Sequence, residues 1–203
     1  MAKLNNTKEK ILAAALDLFS KNGFSAVSVR QIAGAVGIKE SSLYCHFKNK
    51  RDILDKIIDG YAKMNENYLP DFSKKVEFFL NITEKQFLEA ALESFNTYMM
   101  NENVLKFFRV MSIERFNSEE VNKLYVKYLI DDPINYQSEL FKALMENGKM
   151  KNGDERLLAV EFYSSIFLMM QRYFLEDFNT DKIDYAREVL MKHCLDFWKR
   201  NKI

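Results

Sequence analysis

Residues 28 to 50 constrain the fold of this chain most strongly, because they predict two short helices joined by a tight turn. Ser28 and Gln31 form a capping-box pattern, in which the two side chains satisfy free N–H groups at the start of a helix. Gly37 stands where that helix should end, since glycine adopts the positive φ that is common at helix ends. The segment therefore predicts a helix-turn-helix.

The two predicted helices have an apolar side and a polar side. The apolar side of the pair is formed by Ile32, Ala33, Val36, Ile38, Leu43 and Phe47. The second helix also carries hydroxyl, aromatic and imidazole groups, at Ser41, Ser42, Tyr44 and His46. Residues at helical spacing share a face, so this polar side is left to contact something outside the core. A helix-turn-helix that reads DNA needs such a surface.

Helices are predicted on both sides of this pair. Upstream, apolar residues repeat at helical intervals and stop at Asn22-Gly23; they are Ile11, Ala14, Ala15, Leu18 and Phe19. Downstream, Asn49 should cap a helix that starts at Lys50, with the Asp52 carboxylate in its first turn. The amino end of that helix is a natural phosphate site. The upstream helix can pack across the other two and close one small core.

This segment resembles the amino-terminal domain of TetR-type transcriptional regulators. The motifs that carry the resemblance are Leu-Phe-x-x-x-Gly-Phe from Leu18, Ser-Val-Arg-x-Ile-Ala-x-x-x-Gly-Ile from Ser28, and Ser-Leu-Tyr-x-His-Phe-Lys-Asn-Lys from Ser42. They lie within about the first 55 residues, and beyond residue 60 the similarity is in architecture only. The resemblance implies a DNA-binding domain over residues 1–50 and a helical effector-binding and dimerisation domain over residues 51–203.

The resemblance also implies a role in DNA binding for eleven residues. Ser28, Val29 and Arg30 would lie against the DNA backbone, with Arg30 in reach of a guanine. The recognition helix would open in the major groove with Lys39, Glu40, Ser41 and Ser42. Phosphates or a neighbouring base edge would be held by Tyr44, His46 and Lys50, and Lys48 belongs to the same predicted set. This division agrees with the general rule that phosphate contacts position a protein and base contacts specify sequence.

Glu40 and the pair Ser41-Ser42 depart from the commonest pattern of the family. A carboxylate repels phosphate unless it accepts a hydrogen bond from a cytosine amino group. The other interpretation is that Glu40 is a solvated acid favoured at a helix start. Both remain open, and they concern the operator sequence rather than the fold.

The distribution of charge is more informative than the formal net charge of +1. Residues 1–51 contain nine basic and three acidic residues, a net +6, and subtraction leaves 21 basic and 26 acidic residues, a net −5, in the remainder. A positive amino-terminal part suits DNA contact, since phosphate neutralisation supplies most of the non-specific affinity.

The rest of the chain is predicted to be helical, so we expect an all-α fold. Six glycines and two prolines give too few turn signals for a many-stranded sheet. After the helix from Lys50, helices are expected near 71–80, 84–101, 103–115, 118–147, 154–177 and 181–201, with Pro133 kinking or splitting the long one.

Aromatic and methionine residues predict a small-molecule pocket in this second domain. The candidate lining residues are Phe95, Tyr98, Met99, Phe107, Phe108, Met111, Tyr125, Tyr128, Phe162, Tyr163, Phe167 and Met170. Such residues line ligand pockets, although the same stripes are also typical of a plain core. Their low charge favours an apolar or aromatic effector. The alternative is a domain that binds a protein or a lipid-like partner instead.

The last two predicted helices indicate a homodimer. Residues 157–174 are apolar on almost every side, and a helix that is apolar all round must be buried all round. A four-helix bundle across a two-fold axis would do this, with an interface formed by Phe162, Ile166, Met169, Tyr173, Ala186, Leu190 and Phe197. The family resemblance agrees, and a dimer with two amino-terminal DNA-binding heads, residues 1–50 of each copy, implies a palindromic operator. Family habit also favours repression.

Several other functions find no support in the sequence. A glycine-rich phosphate loop, an HExxH motif and a plausible Ser/His/Asp set are absent, so we expect no enzyme activity. Cys45 and Cys194 each neighbour a histidine, but adjacent helical residues point about 100° apart, so no metal site or cofactor is expected. The chain begins without an apolar signal segment, which predicts a cytoplasmic protein with no membrane partner.

Overall fold

The computed structural model describes residues 2–68, 77–174 and 180–203. Within them the regular secondary structure is helical, apart from an isolated antiparallel bridge between Met150 and Lys202. The predicted all-α fold is therefore confirmed. None of the described helices is long and apolar enough to cross a membrane.

The helices are named here in chain order. They are α1 (Ala2–Asn22), α2 (Val29–Val36), α3 (Glu40–Tyr44), α4 (Lys50–Tyr68), α5 (Glu84–Met99), α6 (Glu102–Glu114), α7 (Glu119–Val126), α8 (Asp132–Glu146), α9 (Glu155–Phe174) and α10 (Thr180–Asn201). A π-helical segment, Lys127–Asp131, joins α7 to α8, and residues 77–80 are also helical. The parts of the predicted helices that cover 71–76 and 175–177 lie outside the described residues.

The described residues form two compact units. The first consists of residues 2–68 and 103–122, and the second consists of residues 77–102, 123–174 and 180–203. The first unit thus includes α4, α6 and the start of α7 in addition to the predicted head. The division of function at residue 50 stays a prediction, because packing and function need not share a boundary.

The core of the first unit follows the predicted apolar pattern. In this unit α1 packs against α2 and α4, and α2 packs against α3. The side chains at its centre are fully buried, namely Ile11, Phe19, Ile32, Leu43 and Ile53. Each of the helices α1, α2, α3 and α4 contributes to this set, so one shared core holds them together.

Local chemistry fixes the ends of α2 as the sequence predicts. The Ser28 hydroxyl accepts a hydrogen bond from Gln31 N–H at 3.2 Å, and Gln31 Oε1 accepts one from Ser28 N–H at 2.7 Å. At the other end, Gly37 has φ +74° and its N–H donates to Ala33 and Gly34 carbonyls. The tight turn before α3 follows from this left-handed residue.

Pro133 interrupts the long helix of the second unit, as predicted. It lies in the first turn of α8, directly after the π-helical segment. A proline cannot donate to the carbonyl four residues earlier, here that of Leu129. The Tyr163 hydroxyl donates to this carbonyl at 2.8 Å, so a side chain from α9 supplies a hydrogen bond at the interruption.

Aromatic rings form much of the second unit's core. In this unit α8 packs against α9, and α10 packs against α5 and α9. Phe87 stacks on Trp198 with ring centroids 4.7 Å apart, and Phe162 lies 4.7 Å from Phe197 and 5.8 Å from Phe141. All five rings are at least nine-tenths buried. Because these rings pack against one another, little of their surface is left to contact a ligand.

Gly34 and Gly37 provide a matched test of the α2 backbone. A Cβ at either position would meet no atom within 4 Å, but only Gly37 has a positive φ. Gly37→Ala should therefore lower the free energy of unfolding by about 1 kcal/mol. Gly34→Ala should raise it by about 0.5–1 kcal/mol, because alanine is favoured inside a helix. Urea denaturation checks both values, and changes of the same sign would contradict this account of the turn.

Candidate nucleic-acid interface

The amino end of α2 presents the first group of predicted DNA-binding residues. Ser28 is both exposed and engaged as the helix cap, and its position fixes the direction in which α2 begins. Arg30 is exposed and Val29 is half-buried. The first turn of α2 therefore carries an exposed arginine, and the amino end of a helix suits an anion.

The second group lies on α3, which is only five residues long. Leu43 is fully buried below this helix, and Ile38 N–H donates to the Ala33 carbonyl at 3.0 Å just before it. The opposite side is exposed, at Lys39, Glu40, Ser41, Ser42 and Tyr44. The residues predicted to open the recognition helix in the major groove, Lys39 to Ser42, are thus exposed together with Tyr44.

The turn between α3 and α4 carries a third group. Phe47 is buried, His46 is half-buried and Lys48 is exposed. The Asn49 side chain accepts a hydrogen bond from Asp52 N–H at 2.9 Å, as the predicted cap requires. The Asp52 carboxylate in turn accepts one from Lys48 N–H, also at 2.9 Å. The amino end of α4 was predicted to be a phosphate site, and this carboxylate occupies part of it.

Lys50 has a different environment from the other predicted DNA-binding residues. Its ammonium donates to the carbonyls of Phe24 at 2.7 Å and Val27 at 2.8 Å, with Ser25 at 3.4 Å. It also lies 4.3 Å from the centroid of the Phe24 ring. An ammonium has three donor protons, so these carbonyls account for its hydrogen-bonding capacity. Lys50 joins the start of α4 to the loop that precedes α2.

The segment of residues 103–122 is fastened to the same loop and to two helices of the head. Glu114, 5% exposed, accepts a hydrogen bond from Phe24 N–H at 2.8 Å. Lys106 pairs with Asp17 of α1 at 2.8 Å, and hydrogen bonds from Lys106 and Lys21 lower the pKa of Asp17. The sequence contains no local signal for these contacts, because the partners lie far apart along the chain.

Arg51 connects α4 to the start of α7. Its guanidinium contacts Asp55 at 2.7 Å and Glu120 at 2.6 Å. The hydrogen bond to Asp55 is the main cause that raises the pKa of Arg51, and the one to Glu120 adds to it. Tyr61, further along α4, stacks on Phe107 with ring centroids 4.1 Å apart. Polar and aromatic contacts therefore both hold residues 103–122 against α4.

The residues predicted to line a pocket are divided between the two units. Phe107, Phe108 and Met111 are buried in the first unit. In the second unit Phe95, Tyr125, Phe162, Tyr163 and Met170 are buried, whereas Tyr128 and Phe167 are half-buried. The side chains of Tyr98 and Met99 lie outside the described residues. Gln171 donates to the Tyr125 hydroxyl at 3.2 Å, so α7 and α9 bring two polar groups together.

The residues predicted for the dimer interface mostly lie inside one protomer. Phe162, Ala186, Leu190 and Phe197 are buried there, Ile166 and Met169 are half-buried, and the Tyr173 side chain lies outside the described residues. The exposed side of α9 instead carries Leu157, Val160 and Leu168, which are 65%, 39% and 63% exposed. Sequence reasoning missed these three because α9 is apolar on nearly every side.

The described residues contain no group of three or more His, Cys, Asp or Glu side chains placed to hold a metal ion. His193 contacts the Phe162 carbonyl through Nε2 at 2.9 Å, and Cys194 beside it is buried. Burial raises the pKa of the Cys194 thiol to about 12. Cys45, at the end of α3, is exposed.

The geometry of α1 to α4 coincides with a known domain. The sequence profile of the bacterial regulatory proteins of the tetR family matches residues 11–57, from within α1 to within α4. Residues 11–57 therefore form an amino-terminal domain of the TetR family. The predicted resemblance is thereby confirmed for the region whose motifs carried it.

Relatives of known role agree with this assignment. The tetracycline repressor protein class D of Escherichia coli is 33% identical over 93 residues, which cover 45% of this chain and 42% of that protein. The HTH-type transcriptional regulator QacR of Staphylococcus aureus is 27% identical over 127 residues, or 61% of this chain and 65% of that one. The chain thus spans less than two thirds of the length of each. Both are regulators rather than enzymes.

A solved structure extends the likeness in fold to nearly the whole chain. A TetR-family transcriptional regulator from Mesorhizobium loti matches 98% of both chains with a TM-score of 0.72 and 16% identity. At that identity the match concerns the fold alone. It is consistent with a helix-turn-helix domain followed by a larger helical domain in this chain.

Lys48 and Lys50 should respond differently to loss of charge. Lys50→Met removes the ammonium that joins α4 to the loop before α2, so we expect a loss of about 2 kcal/mol in the free energy of unfolding. Lys48→Met, at an exposed position, should leave stability unchanged. If Lys48 contacts phosphate, its loss should lower the slope of log affinity against log salt by about 0.9, whereas the Lys50 variant should keep the slope.

Thermal unfolding and DNA titration at several salt concentrations separate these two roles. A Lys50 variant with normal stability and a reduced salt slope would contradict the structural role assigned to this ammonium.

Proposed function

We propose that this TetR-family chain is a homodimeric repressor that binds a palindromic operator and releases it when a small apolar or aromatic effector binds. The observation that carries the proposal is the exposed row from Lys39 to Tyr44 on α3, above the fully buried Leu43. A short helix with base-sized hydrogen-bonding groups on one side and an anchored residue on the other suits the major groove.

The proposed DNA contacts are assigned to side chains that are exposed or half-buried. Lys39, Ser41 and Ser42 contact base edges, and Glu40 accepts a hydrogen bond from cytosine or remains in solvent. Ser28, Val29, Arg30, Tyr44, His46 and Lys48 contact the backbone or a neighbouring base edge. Lys50 acts indirectly, because its contacts with Phe24 and Val27 fix the loop from which α2 starts. Since the operator lies on DNA inside the cell, the cytoplasm is the proposed compartment.

An exposed apolar side of α9 supports the dimer. Leu157, Val160 and Leu168 are spaced at helical intervals with Ser164 between them, so they share one side. Apolar residues grouped on an exposed helix face mark an interaction surface. We propose that a second copy covers this side, which moves the expected interface outward from Phe162, Ala186, Leu190 and Phe197. Two-fold symmetry then accounts for a palindromic operator.

The attachment of residues 103–122 supports coupling between an effector and the head. The chain enters this segment from the second unit after Glu102 and returns to it at Lys123. The contacts of Glu114 with Phe24 and of Lys106 with Asp17 tie the segment to α1 and its loop. A ligand that shifts this segment must move the head with it or break these contacts. Differential affinity of that kind amounts to about 1–3 kcal/mol in many allosteric proteins.

The proposed effector site lies among the remaining polar and aromatic side chains of the second unit. Tyr125, bonded to Gln171, and Phe167 and Met170 of α9 are candidates. The Tyr163 hydroxyl is engaged with the Leu129 carbonyl, so it offers little to a ligand. With so few polar groups, an apolar or aromatic compound fits best.

Selection from a random DNA library tests the proposed function. We expect a palindromic consensus bound by the wild type and lost, by at least about tenfold in affinity, in Tyr44→Ala. Tyrosine is neutral, so this loss should leave the salt slope nearly unchanged. Phe116→Ala is the control, because Phe116 is 81% exposed in the first unit outside the predicted set. Absence of any enriched sequence would overturn the proposal.

Leu168→Glu tests the proposed dimer face. Burial of a leucine stabilises an interface by about 1.5–3 kcal/mol, and two-fold symmetry places two copies in each dimer. We therefore expect the dimer dissociation constant to rise at least about 100-fold. Phe116→Glu introduces the same carboxylate at another exposed apolar position and should leave the dimer intact. Sedimentation velocity checks both variants, and an undisturbed Leu168→Glu dimer would refute this interface.

A further inference from the structure

Lys8, near the start of α1, lies beside the turn that joins α3 to α4. Its ammonium is 5.6 Å from the centroid of the Phe47 ring, within the range of a cation–π contact. Phe47 is 2% exposed and is followed directly by the exposed Lys48. Lys8 and Phe47 are thus brought together from distant parts of the chain, and Lys48 is the residue that follows Phe47.

The surroundings of Lys8 leave its charge available to an anion. Among the described residues, none forms a hydrogen bond or an ion pair with its ammonium. Two other cations near this turn differ in this respect, since Lys50 donates to backbone carbonyls and Arg51 pairs with Asp55 and Glu120. The carboxylate at the turn is Asp52, which accepts hydrogen bonds from Lys48 N–H rather than from Lys8.

The Phe47 ring also restricts where the Lys8 ammonium can go. A lysine side chain can lay its stem along apolar surface while its charged end remains in water. Lys8 is half-buried, in keeping with this arrangement, and its charged end is held beside the Phe47 ring. A cation that is already placed loses less freedom when it binds an anion than one on a free side chain.

We propose that Lys8 binds a backbone phosphate of the operator, next to the phosphate bound by Lys48. In this arrangement α1 takes part in the DNA interface, and the phosphate-binding cation at this turn comes from α1 rather than from Lys50. The contact is independent of base sequence, because every phosphodiester carries the same charge. This inference rests on the proposed function as a DNA-binding protein.

Lys8→Met tests the contact, with Lys10→Met as the matched control. Methionine keeps an unbranched stem on Phe47 and removes only the charge. Lys10 is exposed on the same helix, about 200° round from Lys8, and makes the same charge change away from Phe47. Affinity for the selected operator and for unrelated duplex DNA is titrated from low to high salt, together with thermal unfolding.

We expect Lys8→Met to weaken binding about five- to tenfold at about 0.1 M salt and to lower the salt slope by about 0.9. The factor should be the same for operator and unrelated DNA. Lys10→Met should change affinity less than about twofold, and Lys8→Arg should restore the slope. The unfolding temperatures of all three variants should match the wild type.

Two results would overturn the proposal. Equal losses in Lys8→Met and Lys10→Met would mean that only the general charge of α1 matters. A loss of affinity in Lys8→Met with an unchanged salt slope would mean that Lys8 acts through packing on Phe47. Failure of the wild type to bind any duplex DNA is a separate result, since it would overturn the proposed function together with this site.

Discussion

The burial of Leu43 and Phe47 is the constraint on which the exposed surface of α3 depends. A helix of five residues is far below the length of about 12–15 at which an isolated helix becomes even marginally stable in water. Its direction is therefore set by packing, with Leu43 fully buried and Phe47 2% exposed in the core shared with α1, α2 and α4. Because these two residues face inward, Ser41, Ser42 and Tyr44 must face outward.

The loop between α1 and α2 is the second element that the head requires. Phe24 is contacted by Lys50 from α4 and by Glu114 from α6, and it packs on Phe19 with ring centroids 5.3 Å apart. The same loop leads directly into the Ser28 cap. The Glu114 carboxylate thus links residues 103–122 to the loop that leads into α2, and the proposed effector coupling uses this link.

The helices of the head could be predicted from the sequence, because short-range interactions determine where they begin and end. The capping pair Ser28 and Gln31, the left-handed Gly37 and the Asn49 cap each involve residues within a few positions of one another, and each has the predicted geometry. The resemblance implied a phosphate contact for Lys50, and the sequence could not show its contacts with Phe24 and Val27, because these cross more than twenty positions. Similarly, α9 is apolar on nearly every side, so the sequence could not show which side stays exposed once α8 and α10 pack against the others. The role of the twelve aromatic and methionine residues as a pocket lining also remains a prediction, because it depends on how distant parts of the chain pack.

The most direct test of the central claim is the rate at which a thiol reagent modifies Cys45 as operator DNA is added. Cys45 ends α3 and is exposed, whereas Cys194 is buried with a pKa raised to about 12, so the native chain has one fast-reacting site among its two cysteines. If α3 enters the major groove, the Cys45 rate should fall in proportion to operator occupancy. An unchanged rate at saturating operator would contradict the account, because it would place α3 away from the DNA.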